Sequence, residues 1–181
     1  MASGTDSGAK IVVSTLELLR SRGPGAVTIE SVAAHSGVAR TTIYRRHRNR
    51  EEMLTDALVT VGVPEPPSAN MSGEQLMRWV IDRSASMVFD GIGFGGMAAL
   101  LTDTDPAFTD LFRRVLHLHR DALEDALDDG KRRGVVRGDL DPDLLIDGVV
   151  GALVAEQART GTVAPGWAER VFTMFRSTVL G

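Results

Sequence analysis

Cysteine is absent from the 181 residues, which excludes disulfides and thiolate metal sites. Long apolar runs are absent too. The opening MASGTDSGAK is small and polar, and only Ile11-Val12-Val13 follows it, too short for a signal-peptide core. No uninterrupted apolar stretch reaches the roughly 20 residues that span a bilayer, so a cytoplasmic protein is expected. Alternating strand patterns and internal repeats are also missing. What remains is a globular balance, 43% hydrophobic and 24% charged, which does not fit a disordered chain. The length suits one compact domain, or a small domain and a larger one sharing a core.

The charge is unevenly placed. The chain is acidic, with net charge −4. Residues 1–50 nevertheless carry eight basic residues (Lys10 and seven arginines) against Asp6, Glu17 and Glu30, a balance of +5, leaving −9 for the remainder. Five of those arginines lie between Ser36 and Arg50. A basic head that meets a polyanion and an acidic body that does not would produce this asymmetry; so would a solvated basic face with no partner.

The patterning is helical throughout, and the fold class expected is all-α. Ile11, Val12, Leu16, Leu18 and Leu19 recur at helical spacing from Ala9 to Arg22, and Gly23-Pro24-Gly25 stops that helix. Thr28 stands as N-cap of a short helix over about 29–35, with Glu30 in its first turn. Ser36-Gly37 breaks it, because glycine enters the left-handed region cheaply. A second short helix runs from Ala39 to about Arg46. Asn49, with Glu52 three residues on, has the spacing of a capping box for a fourth. After the Pro-rich PEPPSAN stretch, further helices are expected over 73–90, 91–104, 106–129, 142–159 and 165–180.

Two short helices joined by a glycine turn make a helix-turn-helix. Ala33 is small where the helices cross, Gly37 makes the turn, and Val32, Val38 and Ile43 would lock the pair. The second helix then exposes Arg40, Thr41, Thr42, Tyr44, Arg45 and Arg46. Arg40 offers a planar fork to guanine edges. Thr41 and Thr42 suit a base edge, a thymine methyl or a phosphate. Tyr44, Arg46 and Arg50 suit phosphates, which position the helix without reading sequence. Thr28 and Arg50 each open a helix, and helix N-termini favour phosphate.

TIESVAAHSGVARTTIYRRHRNREEML resembles the N-terminal domain of TetR-type transcriptional regulators over roughly residues 9–58. Thr28, the Ala33/Gly37 pair, Thr42-Ile43-Tyr44, and Asn49-Arg50-Glu51-Glu52 followed by Leu54 carry the likeness. His47 departs from it, standing where the family usually has an aromatic or apolar residue. It packs as a neutral ring or bonds a phosphate when protonated. The resemblance implies a homodimer on a near-palindromic operator, a small-molecule effector in the C-terminal body, and pairing of the last two helices. By that division residues 1–8 are a disordered tail, 9–50 the helix-turn-helix head, and 51–181 the ligand-binding and dimerisation domain. VVRGDLDPDLLIDGVVGALV resembles the corresponding region of such bodies. Its helix, apolar all round and rich in glycine and alanine, permits close approach of another helix. Leu145, Val149, Ala152, Leu153, Phe172 and Phe175 are the expected dimer contacts.

Other signals mean less. Gly91-Ile-Gly93-Phe-Gly95-Gly96 spells GxGxxG but lacks the strand that a dinucleotide fingerprint needs; a flexible hinge beside a pocket is the expectation. Asp139-Leu-Asp141-Pro-Asp143 mimics a calcium loop without its glycine or its final glutamate. Asp141 as N-cap and Pro142 at the first helical position explain it better. His117 and His119, two apart on a helix, point apart and share no metal. No nucleophile arrangement is recognisable, so neither an enzyme nor a cofactor is expected. Trp79, Met87, Phe89, Phe94, Met97, Phe112 and Leu116, with Arg83, His119 or Gln157 as polar contacts, could line a ligand cavity; plain core is the competing reading. The function expected is a DNA-binding regulator, a repressor released by a small molecule. Its rivals are a same-fold regulator without a ligand and a helical enzyme.

Overall fold

A computed structural model describes residues 3–180, with side chains from residue 7 onward. Helices α1 (Ser3–Arg22), α2 (Ile29–Ser36), α3 (Arg40–Arg46) and α4 (Arg50–Gly62) come first. Then follow α5 (Gly73–Ser86), a π-helical turn (Met87–Ile92), α6 (Gly93–Thr102), α7 (Pro106–Arg132), α8 (Pro142–Thr160) and α9 (Trp167–Val179). No strand occurs among the described residues. The all-α expectation holds.

Local signals set most boundaries. The Thr28 hydroxyl accepts the Ser31 N–H at 3.0 Å and starts α2, and Gly37 ends it at φ 70°, a region that other residues enter at a cost. Asn49 Oδ1 accepts the Glu52 N–H at 2.9 Å. The return bond of the box is displaced by one residue, since the Glu52 carboxylate accepts from the Arg48 N–H at 2.8 Å rather than from Asn49. Asp141 caps α8 through the Leu144 N–H at 3.1 Å, with Pro142 at its first position. Helix α1 begins at Ser3, inside the stretch read from sequence as tail; residues 1 and 2 lie outside the described residues. Helix α7 continues past its expected end at Asp129 to Arg132. Lys131 holds Asp128 at 2.7 Å within it, and Arg133, just beyond its end, holds Asp129 at 2.8 Å.

The chain packs as two units. One comprises the chain up to Val63 together with Met87–His117; the other comprises Pro64–Ser86 with the chain from Leu118 onward. In the first, Ile11, Leu19, Val32, Ile43, Leu54 and Leu58 share one buried cluster with Ile92, Ala99, Phe108 and Phe112. The head helices thus have no separate core of their own. In the second, Leu76, Met77, Val80 and Ile81 of α5 are buried, as are Leu145, Val149 and Leu153 of α8 and Trp167, Val171 and Phe172 of α9. Arg78 lies 3.7 Å over the Phe172 ring and pairs with Glu169. These contacts bind α5 to α9 through a cation–π stack.

The glycines of GIGFGG do not form a hinge. A Cβ on Gly93 would stand 2.4 Å from Arg20 Cα, and one on Gly95 would stand 2.7 Å from the Gly23 nitrogen. Gly93 also has φ 64°. Only glycine lets α6 lie this close to the end of α1. The π-helical turn just before it leaves the Gly91 carbonyl to accept from Arg20 Nε at 3.3 Å. The helical stretch Gly73–Thr102 contains an eighteen-residue window of mean hydropathy 1.4, of which 44% is buried within the protein. Valine, isoleucine, leucine, phenylalanine, methionine and alanine raise that mean, and Asp90 interrupts the apolar stretch.

Candidate nucleic-acid interface

Helix α3 owes its position to one side of its surface. Ile43 and Val32 are fully buried, and Val38 is buried beside them. The Gly37 N–H donates to the Ala33 carbonyl at 3.1 Å and closes the turn between α2 and α3. With Ile43 inward, helical geometry turns the opposite face out. Arg40, Thr41, Tyr44, Arg45 and Arg46 are exposed, and Thr42 is half-buried. The face carries three guanidiniums and a phenol and no acid. Ala39 gives the first turn no side-chain cap, so its N–H groups have no capping oxygen in front of them.

The remaining expected contacts are placed differently. Thr28 has committed its hydroxyl, which accepts from the Ser31 N–H and bonds Ser31 Oγ at 3.0 Å. The Arg46 guanidinium, exposed on the α3 face, also lies beside Gly8 of α1, where a Cβ would meet it at 3.3 Å. His47 is 4% exposed, and its Nε2 bonds the Asp56 carboxylate of α4 at 2.8 Å. Its Nδ1 is buried with no hydrogen-bond partner among the described residues. The ring therefore packs, and its polar edge ties the end of α3 to α4. Arg50 turns inward. Its Nε donates to the Val27 carbonyl at 3.0 Å, and Nη2 donates to Pro24 O at 2.7 Å and to Asp105 at 2.5 Å. The sequence carried no signal for this arrangement, because Asp105 is 55 residues away. An open cavity of about 390 Å³ lies beside the end of α3, walled by Arg46, His47, Asn49, Glu51, Glu52, Thr55 and Asp56. Its carboxylates keep anions off this side of the head.

A family model of bacterial regulatory proteins, tetR family, matches residues 11–57, and one of tetracyclin repressor-like C-terminal domains matches residues 75–175. The chain belongs to the TetR family. Solved structures share the fold across the whole length. Salmonella enterica GusR is 13% identical with a TM-score of 0.63, covering 98% of this chain and 97% of its own. A TetR transcription regulator from Haloarcula marismortui ATCC 43049 is 15% identical, with a TM-score of 0.64 over 98% and 100%. A transcriptional regulator from Saccharomonospora viridis, solved in complex with choline, is 17% identical, with a TM-score of 0.62 over 98% and 99%. A comparison with curated proteins found no match. The TetR matches cover both the basic helices and the acidic body, and they place the apolar window within Gly73–Thr102 in the family's helical body.

The residues expected to touch a ligand do not gather in one unit of this TetR-family chain. Met87 and Phe112 belong to the buried cluster of the first unit, with Met97 and Leu116 packed against it. Phe112 stacks on Phe108 at 5.9 Å, and half-buried Phe94 meets Phe89 edge-on at 6.0 Å. Trp79, Arg83, His119 and Gln157 belong to the second unit. There His119 is 4% exposed, while His117 faces solvent. The expected dimer contacts also need revision. Leu145, Val149, Leu153 and Phe172 are buried within a single chain and are not free to meet a second copy; Ala152 and Phe175 are half-buried. The exposed large apolar residues on α8 and α9 are Leu144 (70%) and Met174 (67%). Leu144 also borders an open cavity of about 370 Å³ with Arg137, Asp141, Phe175 and Thr178.

Proposed function

We propose that this chain is a sequence-specific DNA-binding regulator, a repressor that a small molecule releases from its operator. One observation carries the DNA reading: α3 buries Ile43 completely and turns Arg40, Thr41, Tyr44 and Arg45 outward. A helix locked on one side and basic on the other can enter the major groove. Arg40 near its N-terminus meets base edges, and Tyr44, Arg45 and Arg46 meet phosphates. Residues 9–50 serve as the head and 51–181 as the body, working in the cytoplasm where the DNA is.

Two copies pair through α8 and α9. Leu144, Gly151 and Ala155 lie exposed on one stripe of α8, and Met174 lies exposed on α9. A second copy would cover these, in place of the buried leucines and phenylalanine named from sequence. A dimer holds two α3 helices about 34–36 Å apart, one turn of duplex. An effector bound in the body releases DNA only as far as it prefers the unbound state. The choline held by the Saccharomonospora viridis neighbour is a precedent for a small organic ligand, at an identity too low to carry its ligand over to this chain.

The test is recovery of sheared genomic DNA from the host at moderate salt. The wild type should retain a small set of fragments, and Tyr44→Ala/Arg46→Ala should retain none above background. Equal retention by both would place binding elsewhere. Retention of all fragments alike, lost on adding salt, would mean nonspecific polyanion binding.

A further inference from the structure

Arg50 opens α4 next to the recognition helix, where a basic residue is well placed for a phosphate. The structure uses it otherwise. Its guanidinium holds Val27 O, Pro24 O and the Asp105 carboxylate at 3.0, 2.7 and 2.5 Å. The side chains of Arg50 and Asp105 are only 31% and 20% exposed. Val27 directly precedes the Thr28 cap of α2, so one guanidinium joins the starts of α2 and α4.

Asp105 brings a third element. Its Oδ1 accepts the Phe108 N–H at 3.1 Å and its backbone carbonyl accepts the Thr109 N–H at 2.9 Å, which makes it the N-cap of α7. Its Oδ2 takes Arg50. Two residues earlier Asp103 ends α6 at φ 50°, the one positive-φ residue among the described residues that is not glycine. The short segment between α6 and α7 is thus held in an uncommon conformation and fastened to the head by a single carboxylate. Helix α4 in turn holds the end of α3 through Asp56 and His47.

We propose that Arg50 and Asp105 are positioning residues for DNA recognition, a clasp between the α6–α7 segment and the head that sets the pose of α3, and that Arg50 is not a phosphate contact. This rests on the DNA-binding reading above. The fork geometry is essential to the clasp, because three acceptors in different directions suit a planar guanidinium and not an ammonium. A phosphate contact would tolerate lysine.

The test measures affinity for a fragment retained by the wild type, across a range of salt, for Arg50→Lys, Asp105→Asn and the double variant. Asparagine can keep the α7 cap, and thermal unfolding monitors the fold of each variant. The clasp predicts that each single variant weakens binding about tenfold at the wild-type salt slope. The double variant should be no weaker than either single, because both changes break the same link. Wild-type affinity in Asp105→Asn would overturn the clasp, as would retained affinity in Arg50→Lys. So would tighter binding by Asp105→Asn, or a salt slope reduced by about one in Arg50→Lys. Equal losses of thermal stability with unchanged affinity would assign the pair a purely structural role and overturn it too. A wild type that retains no fragment would overturn the DNA reading itself, a result distinct from all of these.

Discussion

His47 shows how one buried ring can serve two helices. Its Nε2 reaches Asp56, a side chain 65% exposed, while Nδ1 has no partner among the described residues. A buried ring nitrogen left unpaired costs about 1–3 kcal/mol, and a pairing with a carboxylate this exposed returns only about 0–1 kcal/mol. His47→Phe should therefore stabilise the fold by up to about 1 kcal/mol, read as a higher denaturant midpoint at unchanged slope; a lower midpoint would show that the Asp56 bond dominates. The caps make a plainer case. Thr28→Ala and Asn49→Ala each remove one acceptor from a helix start, and each should cost about 1 kcal/mol in the same assay. Both caps were legible in the sequence, since Thr and Asn before an apolar-periodic run leave little else to read. Arg50 was not. Its residue type and place suggest phosphate, and only the fold brings Pro24, Val27 and Asp105 around it.

At the scale of elements, packing decided what local pattern could not. The GIGFGG stretch read as a hinge because glycine is cheap to bend, yet the neighbouring α1 backbone is what requires it. Gly93→Ala would add a clash to an unfavourable φ, a cost of about 3 kcal/mol; a near-neutral midpoint would mean that α6 is free to shift. The burial of Leu145, Val149 and Leu153 was equally hidden, because a helix apolar all round does not show which side its own chain covers. Two carboxylates of α8 make the fold sensitive to acid. The Ala164 N–H and the Arg170 guanidinium hold the Glu156 carboxyl below its ordinary range. The Arg120 guanidinium lowers Asp143 likewise. A lowered folded pKa gives stability that is present above the unfolded value of about 4 and is lost as pH falls through the folded one. Glu124 runs the other way: burial first, then the neighbouring Asp143, raises it. Its contribution is present at low pH and is lost as pH rises through its folded pKa. Unfolding followed from pH 7 downward should show stability falling below about pH 4.5, and Glu156→Gln should make that fall shallower. An unchanged acid limb in the variant would discount the contact.

Across the whole molecule, the uneven charge of the sequence corresponds to the placement of α3. Of the five arginines gathered between Ser36 and Arg50, three are exposed on α3, Arg48 is exposed just beyond it, and Arg50 turns inward. Packing also divides the chain differently from the sequence, joining Met87–His117 to the head helices. The two TetR family matches cover both parts, the basic helices and the helical body. The proposed regulator reads DNA with two copies of α3, and selection of bound sequences from random duplexes, wild type beside Tyr44→Ala/Arg46→Ala, decides whether it does. A two-fold symmetric site with half-sites about one helical turn apart, enriched by the wild type and absent from the variant, is the predicted result. Enrichment of an asymmetric site, an identical site in the variant, or no enrichment at all would contradict it.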